Sequence, residues 1–353
     1  MKKRSVFKQV FEVVFPIFNL ALAGTIIYLA MRGDEIGSIG GIKVNWEFIA
    51  PIIVTLLFVI FIESMRRQIV IYAITKRFDP FLCLRVYLLK KHYDLLTPFH
   101  TGGKAYEFYY LHKHGFTPGQ ITSIPISDYI LDRIGSQLTM GAIFLSLIWR
   151  LDGLDGGMVV ASAIWIGLAF QIVVTVGALV ICFNRVIPQK LCQLGLFLLH
   201  KVRIVKDHEK AKTAVNGTLA EYRQTVKILA RKPFVALSAI LLRSVAVFCN
   251  FFIIVYIYAF LFGWDWSVIP LLLLGIVLTE NAGGLMPIPG GTGAMELFFL
   301  SIFATMFGTP QIILAVVMWK ITSYIIPILN GIPVVIYDAI RFRFKREPDK
   351  IEA

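Results

Sequence analysis

Charge and cysteine are both scarce in this sequence. Of 353 residues, 16% are charged and 57% are hydrophobic, whereas a soluble domain carries about 25% charge. That shortage excludes a secreted, cytosolic or disordered chain. The four cysteines, Cys83, Cys182, Cys192 and Cys249, lack paired spacing, which argues against a disulfide framework or a zinc site. No nucleophile elbow or metalloprotease helix occurs, and no glycine cluster ends in the Gly-Lys-Ser/Thr of a phosphate-binding loop. His100, His112 and His114 lie close in sequence but have no carboxylate at ligand spacing, so neither a metal nor any other cofactor is expected.

Long apolar runs are what the sequence does have, several of them beyond the roughly 18–20 residues that span a bilayer. The mean hydropathy is +0.74. These features predict an all-α, polytopic transmembrane helix bundle. The spans read as Val10–Met31, Phe48 to Lys76–Arg77, Asp128–Trp149, Met158–Phe183, Phe234–Phe262 and Ile312–Tyr337. The first is too long, and lacks the small-residue cleavage site, for a removable signal peptide. The net charge of +13 sits in the connections between runs. That is the positive-inside bias with attraction to anionic lipid, and no nucleic-acid partner is expected.

The basic clusters put both termini, the 62–126 region and the 184–232 loop in the cytoplasm of a bacterial-type plasma membrane, in a multi-pass arrangement. The sequon Asn216-Gly217-Thr218 falls in that loop and carries no meaning there. The chain reads as a single transmembrane domain, 1–353, with halves at about 1–183 and 233–340. A basic region, 184–232, joins them and contains the interfacial amphipathic piece Leu191–Val205.

Two segments break this pattern. Pieces at Phe81–Leu96 and Ala105–Leu111 flank Thr97-Pro98-Phe99-His100-Thr101-Gly102-Gly103, and neither is long enough to cross alone. Pieces at Val268–Leu278 and Ala294–Met306 flank a second break running from Gly283 to Gly293. Aligned without gaps at an offset of 189, Leu96–Leu111 and Leu285–Leu300 share six identities in sixteen positions. Among them are Pro98/Pro287, Gly102/Gly291, Ala105/Ala294 and Glu107/Glu296. The span count gives the two breaks opposite orientations, which resembles an inverted-topology repeat with two broken or re-entrant helical segments. Proline removes a donor and glycine permits tight backbone, so the freed amides must line protein or a water-filled cavity. A helix restarting after each Gly-Gly would point bare N–H groups at a phosphate. Tight turns between short packed helices remain the alternative.

The block from Pro287 to Glu296 carries the pattern P-x-P-G-G-x-G-x-x-E, and Thr97–Gly103 with Tyr109-Tyr110-Leu111 carries T-P-F-x-T-G-G followed by Y-Y-L. Both resemble the signatures of the lysylphosphatidylglycerol synthase transmembrane-region family, over essentially the whole chain. Members are flippase-like integral membrane proteins. In the long members, the multiple peptide resistance factors, this region moves aminoacylated phosphatidylglycerol between leaflets. A separate soluble domain attaches the amino acid from charged tRNA. This sequence has no such domain, so the resemblance implies the flippase half alone, although short members often carry the label phosphatidylglycerol lysyltransferase.

A charge at the centre of a membrane helix costs roughly 2.5–3.5 kcal/mol on insertion scales, so each one needs a reason. Arg133, Arg243 and Lys320 are candidates to meet a lipid phosphate. Pro98, Thr101, Gly102, Gly103, Pro287, Pro289, Gly290, Gly291 and Gly293 are candidates to bind it through the breaks. Glu107, Asp132, Glu280 and Glu296 are candidate polar or gating groups, and Asp128 and Asp132, four apart, share a helix face. The alternative role for the cations is structural, with Arg243 paired to Glu280 or Glu296.

The expected function is movement of a phospholipid of the aminoacyl-phosphatidylglycerol type, or a polyprenyl-phosphate-linked lipid, between leaflets. The expected partners are membrane lipids with phosphate headgroups. Two further readings stay open. One is a lipid-modifying transferase using Glu107 or Glu296, and the other is a scaffold docking through the 184–232 loop. A homo-oligomer and a separate lipid-synthesising enzyme also stay open as partners.

Overall fold

A computed structural model describes residues 43–97, 102–147, 231–283, 293–308 and 310–344, together with the isolated residues 169, 173, 217 and 220. Val10–Met31, nearly all of Met158–Phe183 and of the joining loop, and most of both breaks lie outside them. The described residues form helices and short connections, with no strand among them.

Helix α1 covers Ile49–Thr75 and follows a single 3-10 turn at Trp46–Phe48. It stops where Lys76 turns left-handed (φ 61°). Asp79 then caps α2 (Pro80–Leu96) by accepting the Leu82 amide at 2.9 Å, with Pro80 in the first turn, where a missing N–H costs nothing. Thr97 is extended (φ −119°, ψ 148°), the conformation favoured before a proline, and so α2 ends there.

Helix α3 spans Gly102–Lys113, and α4 spans Pro118–Leu147. The start of α4 lies ten residues before the Asp128 expected from hydropathy. A reciprocal cap explains the difference, since the Thr117 amide donates to Gln120 Oε1 (3.1 Å) and the Gln120 amide to Thr117 Oγ1 (3.4 Å). The polar first turns hide this helix from a hydropathy reading. Helix α5 (Pro233–Phe262) agrees with the expected span to within one residue. A turn in which Ser267 donates to Asp265 from both its hydroxyl and its amide holds that carboxyl below the ordinary carboxylate range. It leads to α6 (Ile269–Gly283).

After the second break come α7 (Ala294–Phe307) and α8 (Gln311–Lys320). A π-helical turn at Ile321–Ile325 then joins α8 to α9 (Ile326–Phe344). Among the described residues, three helical stretches are long and apolar enough to cross a membrane by length and composition: Trp46–Thr75, Pro233–Phe262 and Gln311–Asp338. By contrast α2, α3, α6 and α7 have 17, 12, 15 and 14 residues. At 1.5 Å per residue none of these four reaches about 30 Å, the thickness of the hydrocarbon core.

The main core joins α5, α6, α7 and α8, with Phe299, Phe303, Phe307 and Trp319 at its centre. A smaller cluster joins α2, α3 and α9 through Leu89, Tyr110, Leu111 and Val334. The opposite face of α1 leaves Ile53, Val54, Leu57, Phe58 and Phe61 exposed. Such a continuous apolar face suits lipid rather than water. Helices α4 and α5 come very close at Gly135, where a Cβ would lie 2.8 Å from Cβ and Cγ of Arg243 and from the Ile240 carbonyl. This small residue lets the backbones approach closely enough to seat Arg243 between them.

Candidate functional site

The polar centre of the molecule begins on α1, where Glu63, Arg66 and Arg67 are almost fully buried in an otherwise apolar helix. Arg66 donates to Glu63 (2.9 Å), one turn back, and to Asp128 on α4 (2.7 Å), and Asp132 Oδ1 lies 3.6 Å from it. Arg67 joins Asp128 (2.9 Å) to Glu107 on α3 (2.7 Å). From α5, Arg243 reaches Glu63 (2.5 Å), Asp132 (3.0 Å) and the Ser136 hydroxyl (2.9 Å). Lys90 on α2 lies 3.6 Å from Asp128. Five helices therefore meet in one buried charge network. Its partners matter because removing one member leaves another charge buried and uncompensated.

The structural pairing expected for Arg243 is corrected here. Its carboxylates are Glu63 and Asp132, not Glu280 or Glu296, and Glu296 instead pairs with Lys320 on α8. The sequence analysis singled out none of Glu63, Arg66 and Arg67, which fall in the later part of the span expected from Phe48 to Lys76–Arg77. The signal was present: the Glu63–Arg66 spacing of one turn, and the apolar run Ile69 to Ile74 continuing beyond the arginines.

At the breaks, the described amides are already taken. The Gly102 amide donates to Thr97 Oγ1 (2.7 Å) and the Gly103 amide to Asp94 Oδ1 (2.9 Å). Gly293 (φ 96°) donates to Glu296 Oε2 (2.5 Å), so Glu296 caps the start of its own helix. These three N–H groups are satisfied by side chains instead of standing bare for a phosphate. Pro98, Thr101, Pro287, Pro289, Gly290 and Gly291 lie outside the described residues.

A cavity of about 520 Å³ opens beside the network. Its wall includes Lys90, Lys91, Asp94 and Lys104 from around the first break, and Ile276, Glu280 and Met295 from around the second. Arg133, Arg243, Asp132 and Lys320 line it as well, as do Thr322, Ser323 and Tyr324 of the π turn. Among the described residues, eight basic side chains line it against four acidic ones. Glu107 and Glu296 are buried behind this wall and hold Arg67 and Lys320. Among the described residues no group of three His, Cys, Asp or Glu side chains is arranged to hold a metal ion.

A family model described as the lysylphosphatidylglycerol synthase TM region matches residues 17–331. No match was found among curated proteins or among solved structures. On that coverage, and with membrane-length apolar helices in place, the chain belongs to the lysylphosphatidylglycerol synthase TM region family and is a membrane protein with a lipid-related function.

Proposed function

We propose that the protein is a lipid flippase, moving a phospholipid with a phosphate-bearing headgroup between membrane leaflets. One observation carries this reading. A cavity with eight basic and four acidic side chains lies among apolar helices, and residues from both broken segments form its wall. A phosphate headgroup would be desolvated there among cations, while its acyl chains stay against apolar helix faces. The two breaks act as halves of an inverted repeat around this space. Helices shorter than the membrane begin there with the Gly102, Gly103 and Gly293 amides held by Thr97, Asp94 and Glu296, which satisfies these donors without closing the cavity.

Reconstitution of the full chain into liposomes with fluorescent phospholipids in one leaflet tests the proposal. Accelerated leaflet exchange is the expected result, and Gly102→Leu should abolish it. A Cβ at position 102 would run into the Thr97 side chain and the Tyr93 carbonyl, displacing the cap. Exchange no faster than in empty liposomes, across a broad panel of phospholipid headgroups, would overturn the reading.

A further inference from the structure

We infer that Lys104 and Arg133, gathered on the ring of Tyr129, form the phosphate-holding end of the cavity, whereas Arg243 and Lys320 hold its wall together. This rests on the transport reading above and names the part of the cavity that would grip the headgroup.

Charge pairing divides the cations into two sets. Arg66, Arg67, Arg243 and Lys320 each contact a carboxylate, and Lys90 has Asp128 at 3.6 Å. Lys91, Lys104 and Arg133, which also line the cavity, contact none among the described residues, and two of them, Lys104 and Arg133, share an aromatic ring. The ring they share is neutral: Lys104 Nζ lies 3.7 Å from the Tyr129 ring centroid, and the Arg133 guanidinium carbon lies 5.2 Å from it. Tyr129 and Arg133 are four apart on α4, and Lys104 comes from the first turn of α3. All three line the cavity.

Two cations on one ring repel each other, and Lys90 adds to that repulsion. Asp94 and Asp132 attract Lys104 through space, but Asp94 is engaged by the Gly103 amide and Asp132 by Arg243 and Arg66. In addition, Arg133 Nε is buried without a hydrogen-bond partner among the described residues. A buried donor without an acceptor is costly, and the residue that carries it lines the cavity.

A phosphate answers both deficits, since its oxygens accept from guanidinium and ammonium together and its charge relieves the repulsion. A lipid headgroup and a free phosphate ion offer the same oxygens. Leu56, Val59 and Ile60 of α1 line the same cavity, which favours the lipid.

The test titrates the full-length protein in detergent with fluorescent phosphatidylglycerol. The competitors are diacylglycerol of matched chains and sodium phosphate. Lys104→Gln and Arg133→Gln should each weaken phosphatidylglycerol binding by about ten- to a hundred-fold. Arg133→Lys should recover part of the loss. Lys113→Gln, which removes a cation from the Tyr109 ring outside the cavity, should leave binding unchanged. Diacylglycerol should not compete, and sodium phosphate should compete only at far higher concentration.

Unchanged affinity in folded Lys104→Gln and Arg133→Gln proteins would overturn the assignment, whatever the liposome assay gives. Sodium phosphate competing as well as the lipid would replace the lipid with the free ion. Wild-type protein that binds phosphatidylglycerol through these residues but moves no lipid would keep the site and overturn the transport reading. If Arg133→Gln fails to fold, Lys104→Gln decides alone.

Discussion

The two broken regions carry matching glutamates at matching positions, and the protein treats them differently. Glu107, after the first break, sits in a network where Arg67 also binds Asp128, which in turn binds Arg66. Glu296, after the second, stands against the aromatic core of α7 and α8 with Lys320 as its one ion-pair partner among the described residues. Glu296 also caps its own helix, a task that Asp94 of α2 and Thr97 just past its end perform at the first break. A repeated sequence position thus keeps a buried carboxylate, but its neighbourhood decides whether the charge is shared or isolated. Shared charges have several ways to be compensated, and an isolated pair has one.

The largest difference should appear on removing the cation at the second break. Lys320→Met leaves the buried Glu296 carboxyl without its cation, which costs about 3–5 kcal/mol by analogy with other broken buried pairs. Thermal unfolding of the purified protein in detergent should show this as a large loss. The double variant Lys320→Met with Glu296→Gln should be more stable than the single one, because the stranded charge is gone. Equal stability of the single and double variants would show that the pair is not what holds α7 to α8.

Glu107→Gln should cost less, about 1.5 kcal/mol, since Arg67 keeps Asp128 and the amide oxygen still accepts a hydrogen bond. The same thermal assay compares it with Lys320→Met, and a larger loss at Glu107 would reverse the contrast between the regions. Gly135→Leu should cost about 1–3 kcal/mol of overpacking, a range that brackets the loss at Glu107. It forces α4 from α5 where Arg243 crosses and should disturb the network on the side of the first break only.

Hydropathy made the lipid-facing part of this fold legible. Span α5 was bounded to within a residue, because a long apolar run with Arg243 as its one charge lies between Pro233 and Gly263. The charged helix was harder to read. The beginning of α4 is polar and its boundary is set by the Thr117–Gln120 cap, which a hydropathy window averages away. The breaks and their repeated glutamates were visible as sequence identities, and Arg243 and Lys320 as charges deep in apolar runs. Their partners were not legible, since Arg243 finds Glu63 180 positions away and Arg66 finds Asp128 62 positions away. Such pairings depend on where helices cross, and no local periodicity encodes that.

The smallest expected effect isolates the two ways of capping a break. Thr97→Val keeps the shape of the side chain but removes the oxygen that accepts the Gly102 amide and donates to the Tyr93 carbonyl. The loss should be about 1 kcal/mol, typical of a helix cap. It should also be local, because Asp94 still holds the Gly103 amide and the helix keeps its second anchor. Hydrogen exchange followed by mass spectrometry reads this directly. Peptides containing Gly102 and Gly103 should exchange faster in Thr97→Val, while peptides spanning Gly293 to Glu296 keep the wild-type rate. Glu296→Ala, which removes the oxygen that accepts the Gly293 amide, should give the converse pattern, with faster exchange at the second break alone. If either substitution speeds exchange at both breaks, the two regions open as one cooperative unit. The contrast between shared and isolated charge would then describe their chemistry but not their motion.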